Sequence, residues 1–173
     1  MSLHERCQKI DMLVVDVDGV LTDGSIAYAD HGEEIKAFHV RDGSGLKLWL
    51  ALTKKACILT GRKSALVDRR GTELGMTAVL QGVDDKLVAF RWLLGEHHLR
   101  EDQAAYVGDD LPDLPVLRAC GLAVAVADAC PEAIQLAHYV TRAAGGRGAV
   151  REAIELMLRA QGRWQEALAR FLA

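Results

Sequence analysis

The stretch Leu13–Gly24, LVVDVDGVLTDG, constrains this chain more than any other. It begins as a run of branched apolar residues suited to a strand buried on both faces. It then sets two carboxylates, Asp16 and Asp18, one residue apart and follows them with Gly19. In extended chain, residues two apart point to the same side. Two carboxylates this close repel unless a proton or a cation compensates. A plainer reading makes them turn and cap aspartates, which are common after strands. An EF-hand calcium loop fails on spacing: counted from Asp16, its later ligand and glycine positions fall on Val20 and Leu21, and its final acidic position on Ala27.

Further apolar runs of strand length follow: ACILT at Ala56–Thr60, AVL around Val79, AAYVG around Tyr106, LAVAV at Leu122–Val126 and HYVT around Val140. Helix-period segments lie between them. In VDDKLVAFRWLLGEHHL, Leu87, Phe90 and Leu94 recur at i, i+3 and i+7; SALVDRRGTEL follows the second strand; PEAIQLA opens with proline; and GAVREAIELMLRAQG is amphipathic and stops at glycine. This alternation predicts a three-layer, Rossmann-like α/β fold with a mostly parallel sheet. One insertion interrupts it directly after the first strand. Two β-prone runs, Ile26–Ala29 and Ile35–Val40, flank the turn-forming Asp30–Gly32 and predict a β-hairpin within residues 25–40. No interdomain linker or repeat is evident, so residues 1–173 read as one domain, with a C-terminal tail from about residue 142. The RWQEALARFLA segment after Gly162 reads as a short amphipathic helix.

Charge and composition narrow the partners. The net charge of −3 and the absence of a basic stripe argue against a nucleic-acid or membrane surface. No apolar run has the length of a membrane span. The first residues, MSLHERCQKIDM, lack the apolar region of a signal peptide, so a cytoplasmic location is the expectation. Cys7, Cys57, Cys120 and Cys130 show no C-x-x-C pairing, which speaks against zinc and for a reducing compartment.

The other strand ends give the carboxylates a context. Ligands of open α/β sheets bind at the carboxyl ends of the strands. The second strand ends in Thr60 and Gly61, a hydroxyl and an unobstructed N–H suited to phosphate oxygens. Lys86 stands near a helix start, a poor choice for helix stability and a good one for a phosphate ligand. The fourth strand runs into Asp109, Asp110 and Asp113. Oxygen ligands without His or Cys favour a hard cation, and magnesium binds one or two carboxylates together with a substrate phosphate. A nucleophile, a second carboxylate for proton transfer, a cation site and a phosphate cradle together suit phosphoryl transfer through an aspartyl-phosphate.

The segments DVDGVLTDG, ILTGR, QGVDDK and GDDLPDLP, in that order, resemble the four motifs of the haloacid dehalogenase superfamily of phosphatases. GEEIKAFHVRDGSGLKLW, TGRKSALVDRRGTELG and VTRAAGGRGAVRE are similar to its 3-deoxy-D-manno-octulosonate 8-phosphate phosphatase subfamily, over about Ile10 to Gly162. The resemblance implies a magnesium-dependent phosphatase of an eight-carbon sugar acid phosphate in lipopolysaccharide precursor synthesis. It implies no large cap domain, and a homotetramer whose hairpins join neighbours and whose subunits cover each other's active sites. It implies Asp16 as nucleophile and metal ligand, Asp18 as general acid and base with its carbonyl on the metal, and Asp109 as the remaining metal ligand. Thr60 and Lys86 would hold the phosphate, with Asp110 and Asp113 in support. For the sugar acid it points to His39, Val40, Arg41, Asp42, Gly43, Lys47, Arg62 and Arg70. Lys47 stands where arginine is frequent and keeps the charge without the bidentate fork; Ser44 stands where tyrosine is frequent. Read without the family, Arg41–Gly43 is a turn opening the next helix, Arg62 and Arg70 are solvated charges, and AAGGRG is a loop before the last long helix; the family adds the reading of a lid. The same catalytic set would serve a nine-carbon sugar acid phosphate, and a non-catalytic assembly module of a sugar cytidylyltransferase system shares the fold.

Overall fold

The computed structural model describes residues 1–172. In chain order its elements are α1 (Leu3–Gln8), β1 (Met12–Val15), β2 (Ala27–Tyr28), β3 (Glu34–Ile35), α2 (Val40–Ala51), β4 (Lys55–Leu59), α3 (Ala65–Leu74), β5 (Ala78–Leu80), α4 (Lys86–Glu96), β6 (Ala104–Gly108), α5 (Leu114–Ala119), β7 (Leu122–Ala125), α6 (Pro131–Leu136), β8 (Tyr139–Val140), α7 (Ala149–Ala160) and α8 (Trp164–Leu172). Six strands form one sheet in the order β5-β4-β1-β6-β7-β8, and every pairing in it is parallel. The expected Rossmann-like layering is therefore present, with the sheet wholly parallel rather than mostly so. Met12, Leu13, Val14 and Val15 are fully buried, as a central strand covered on both faces requires.

The right-handed crossover rule assigns the helices to faces. The chain leaves β1 towards β4 and β5, which puts α2 and α3 on one face; α1 and α7 pack there too, against β7 and α2. It then crosses to β6 and proceeds to β7 and β8, which puts α4, α5 and α6 on the other face. The two directions of travel diverge between β1 and β6. A crevice opens there at the carboxyl ends of the strands, and it receives the loops carrying Asp16, Asp18 and Asp109.

The β2–β3 hairpin forms as expected, but its second arm is shorter than Ile35–Val40. Val40 already opens α2, because His39 takes the extended conformation of an N-cap (φ −82°, ψ 131°). The Arg41–Asp42–Gly43 run is the first turn of that helix. An N-terminal helix that the sequence pattern did not indicate, α1, opens with a capping box between Ser2 and Glu5. The segment after Gly162 is α8, and it packs on its own chain: Ala167 is fully buried and Arg163 donates to the Leu52 carbonyl at 2.9 Å. The four cysteines are free thiols. Burial pushes Cys57, in β4, up to about 12, so it behaves as a core residue.

Asp42 ties two helices together. α7 starts at Gly148, which has no side chain with which to cap it. Asp42, on α2 and almost wholly buried, does so from outside: its Oδ2 accepts from Gly148 N at 3.1 Å and its Oδ1 from Arg151 N at 2.8 Å. Replacing Asp42 by alanine is expected to destabilise the fold by about 1–2 kcal/mol, since two partly buried helix-start donors lose their acceptor. Urea denaturation measures this, and a midpoint equal to that of the wild type would show the cap to be idle.

Candidate active site

Asp16 follows β1 directly, and its N–H extends the ladder by donating to Val107 O at 3.1 Å. Thr60 does the same beyond β4, donating to Leu80 O at 3.0 Å. The backbone thus fixes both residues at neighbouring strand ends. Lys86 is the first residue of α4, whose N-terminus is capped by Asp85, the acceptor for Leu87 N and Val88 N at 3.0 Å each. With the cap supplied by a neighbour, the lysine is free to turn inward, and it is only 7% exposed. Asp16, Asp18, Thr60, Gly61, Arg62, Lys86 and Asp109, with Asp110 and Asp113, line one cavity of about 340 Å³. A larger groove of about 560 Å³ lies along α7, but none of the strand-end carboxylates enters it.

Asp113 organises the interior of the cavity. Its Oδ1 accepts from Tyr106 OH and from Lys86 Nζ, each at 2.6 Å. Its Oδ2 accepts from Asp109 N at 2.9 Å and Asp110 N at 3.3 Å. All four acceptor positions of the carboxylate are used. Lys86 Nζ also lies 2.9 Å from Asp16 Oδ2. Two oxygens remain: Asp16 Oδ1 and Asp109 Oδ1 are buried and have no hydrogen-bond partner. Oxygens of Asp16, Asp109 and Asp113 lie within 4.8 Å of one another. Three carboxylates thus face one ammonium, an excess of two negative charges. A hard divalent cation fits both the charge and the two orphaned oxygens, and Asp16 and Asp109 are the side chains that could hold it.

The electrostatics carry the mark of that excess. Burial raises the Asp16 carboxyl to about 6, and the Asp113 carboxylate adds to this against the pull of Lys86. Burial, with Asp113 and Asp16, raises Asp109 to about 7. Burial alone would lower Lys86, but Asp16 and Asp113 outweigh it and hold the ammonium above its ordinary value. Glycine lets the surrounding loops close in. Gly19 has φ +86°, and a Cβ there would overlap the Asp109 carboxylate. Gly145 leaves no room for a Cβ beside the Gly19 carbonyl, while Gly146 N donates to Val20 O at 2.9 Å. The AAGGRG segment is therefore packed on the Asp16–Asp18 loop of its own chain, and Arg147 reaches Asp23 at 3.3 Å.

The residues expected at the sugar acid are dispersed. His39, Asp42, Gly43 and Arg70 line a separate narrow crevice with Leu21, Phe38 and Leu74. The Arg70 guanidinium lies against Gly43, where a Cβ would have to displace it, and over the Phe38 ring at 5.7 Å. The Asp42 carboxylate is committed to α7. Arg41 lines the α7 groove, and Val40 and Lys47 are exposed on α2. Only Arg62 shares the cavity of the carboxylates, and it is paired there with Asp18 at 3.5 Å and Glu34 at 3.0 Å. Two residues stand out that the motifs did not indicate. Tyr106 carries the fully buried hydroxyl on Asp113. Lys36, on the hairpin, pairs with Asp18. Glu34 and Lys36 are two apart in extended chain, and that shared side was the available signal.

Residues 53–154 match the haloacid dehalogenase-like hydrolase family. The 3-deoxy-D-manno-octulosonate 8-phosphate phosphatase KdsC of Escherichia coli K12 is 51% identical over 162 residues, covering 94% of this chain and 86% of that protein. The crystal structure of the Moraxella catarrhalis phosphatase of the same name, in complex with magnesium, phosphate and a KDO molecule, superposes with a TM-score of 0.95 at 42% identity and covers 97% of each chain. The cobalt-bound Haemophilus influenzae phosphatase superposes with a TM-score of 0.88 at 40% identity, over 91% of this chain and 92% of that one. Identity at this level across nearly the whole length, on the same fold, places the chain among the haloacid dehalogenase-like hydrolases and, within them, in the family of 3-deoxy-D-manno-octulosonate 8-phosphate phosphatases.

Proposed function

We propose that this chain hydrolyses 3-deoxy-D-manno-octulosonate 8-phosphate to the free sugar acid and phosphate, with magnesium as its cation. The observation that carries the reading is the buried pair of unpartnered oxygens, Asp16 Oδ1 and Asp109 Oδ1, beside a lysine already seated on Asp16. Its substrate comes from the relatives, whose names specify that sugar phosphate.

Asp16 is the nucleophile. Its carboxylate attacks phosphorus, the bond to the sugar oxygen breaks, and an aspartyl-phosphate results. Asp18, on the same loop and in the same cavity, gives its proton to the departing sugar oxygen. It then takes a proton from the water that cleaves the aspartyl-phosphate, which restores both carboxyl groups. Thr60, Gly61 and Lys86 hold the phosphoryl oxygens, and Asp113 keeps Lys86 pointed at them. Asp16, Asp109 and the main-chain carbonyl of Asp18 would hold the magnesium ion, which when bound supplies positive charge against the ionised carboxylates and the phosphoryl group. His39, Arg41, Gly43, Lys47, Arg62 and Arg70 are the candidates for the sugar acid. The hairpin exposes Ile26, Tyr28 and Ile35, which supports assembly with further copies through that surface. No helix among the described residues is long and apolar enough to cross a membrane.

Asp16→Asn should lower magnesium-dependent phosphate release by on the order of ten-thousandfold or more, while circular dichroism shows the fold retained. Turnover within tenfold of the wild type would remove Asp16 as nucleophile. Release should also be faster from the eight-carbon ester than from its nine-carbon analogue, and the reverse preference would reassign the substrate.

A pH dependence follows from the raised carboxyls. With folded-state values of about 6 and about 7 against an ordinary value of 3.8, the folded protein binds more protons than the unfolded chain between about pH 4 and pH 7. These two groups therefore make the cation-free protein less stable as pH rises through that window. A cation must displace those protons, so stabilisation by magnesium should grow from about pH 5 to about pH 8 and shrink in Asp109→Asn. Thermal melts with and without magnesium chloride at the two pH values measure this; an equal increment at both would contradict it.

A further inference from the structure

Most of the hairpin faces solvent, yet the Lys36 side chain is only 2% exposed. Its ammonium pairs with Asp18 Oδ1 and lies 3.5 Å from Glu34 Oε1. Arg62 completes a circuit, donating through its terminal nitrogen to Glu34 Oε1 at 3.0 Å and placing Nε 3.5 Å from Asp18 Oδ2. Two cations and two anions alternate in a closed ring. The ring joins three segments: the loop after β1, the hairpin and the loop after β4. It is neutral overall, so it adds no net charge against a phosphate. What it does is hold one carboxylate in place. Asp18 Oδ1 is anchored on a buried ammonium, while Arg62 approaches Oδ2 only to 3.5 Å and leaves that oxygen without a close donor. An ammonium with so little solvent contact is costly to bury without its anion, so the pair holds the hairpin down as firmly as it holds Asp18.

We propose that Lys36 is a positioning residue for Asp18, and that seating of the hairpin is by this route a condition of proton transfer. The proposal rests on the reading of Asp18 as general acid and base. A carboxylate that must reach the leaving oxygen gains rate from being held in a productive geometry, and the loss on releasing it falls on the step that needs its proton. An alkoxide leaving group needs that proton; a nitrophenolate does not. The ratio kcat/KM reports events up to departure of the leaving group, so it separates the two cases.

The experiment compares kcat/KM of wild type, Lys36→Met and Lys36→Arg on 3-deoxy-D-manno-octulosonate 8-phosphate and on p-nitrophenyl phosphate, with magnesium present. Lys36→Met should lose on the order of tenfold to a hundredfold on the sugar ester and less than about threefold on the aryl ester. Lys36→Arg, which keeps the charge, should recover part of the loss. Equal losses on both esters would mean that Lys36 only supports the fold, and no loss on either would mean that the ring is idle; both overturn the proposal. If circular dichroism shows Lys36→Met unfolded, Lys36→Gln, which retains a donor, carries the same comparison. A wild type inactive on both esters would instead remove the phosphatase reading, and this inference with it.

Discussion

The site depends on one buried carboxylate that takes no part in the proposed chemistry. Asp113 is fully buried, and its acceptor positions are filled by the Lys86 ammonium, the Tyr106 hydroxyl and the two successive N–H groups of Asp109 and Asp110. A carboxylate removed from water this completely is tolerable only when saturated with hydrogen bonds, and breaking any one leaves a charged group short of a partner. The four donors are what the site needs to fix: the lysine beside Asp16, the turn bearing Asp109 and the hydroxyl of a core tyrosine. Tyr106 carries the connection inward, since its ring packs edge-on against Phe90 of α4, with centroids 6.4 Å apart. Lys86 and Phe90 lie on the same helix, so the seating of α4 on the sheet and the position of the ammonium are one constraint.

Around that hub, backbone geometry sets distances that side chains could not. Parallel pairing aligns the ends of β1, β4 and β6, and the divergence of the chain beside β1 keeps the crevice open. Glycines at Gly19 and Gly145 then let two loops approach more closely than any side chain would allow, one against Asp109 and the other against Gly19 itself. The glycine-rich segment before α7 is thereby a structural backing of the first catalytic loop. Asp42 fixes the start of α7 and so the placement of that backing.

Much of this was legible in the sequence, for a physical reason. Strands buried on both faces must be apolar, so Leu13–Val15 and Ala105–Val107 stand out, and polar residues at their ends are visible against that background. The clusters at Asp16, Thr60 and Asp109 stand out in this way, Lys86 as a cation misplaced at a helix start, and the fold brings all four to one cavity. What escaped was of a different kind. The hairpin run Ile35–Val40 has strand-like composition, but a helix cap at His39 overrides it. Asp42 reads as a site residue within a loop motif, and only the tertiary placement of α7 reveals its cap. Lys36 follows a two-residue strand with almost no pattern of its own, and its partner lies 18 positions earlier in the chain. Local periodicity carries no record of such a pairing.

The two halves of the site also differ in how they are built, and the difference bears on how specificity is housed. The phosphate half is contained in one cavity and cross-braced by buried charge, so its geometry is set once the sheet forms. The residues the family associates with the sugar acid occupy three places: a narrow crevice at the start of α2, the groove along α7 and the exposed face of α2. Except for Arg62, none of them lines the cavity of the carboxylates within a single chain. A surface from a second copy could bring such dispersed groups to one ligand without disturbing the reacting centre. The hairpin, with its outward apolar residues and its inward lysine, is the element that touches both requirements: it meets solvent or a neighbour on one side and the proton-transferring carboxylate on the other. Recognition at its outer surface and geometry at Asp18 would then be coupled through the four-residue charge ring.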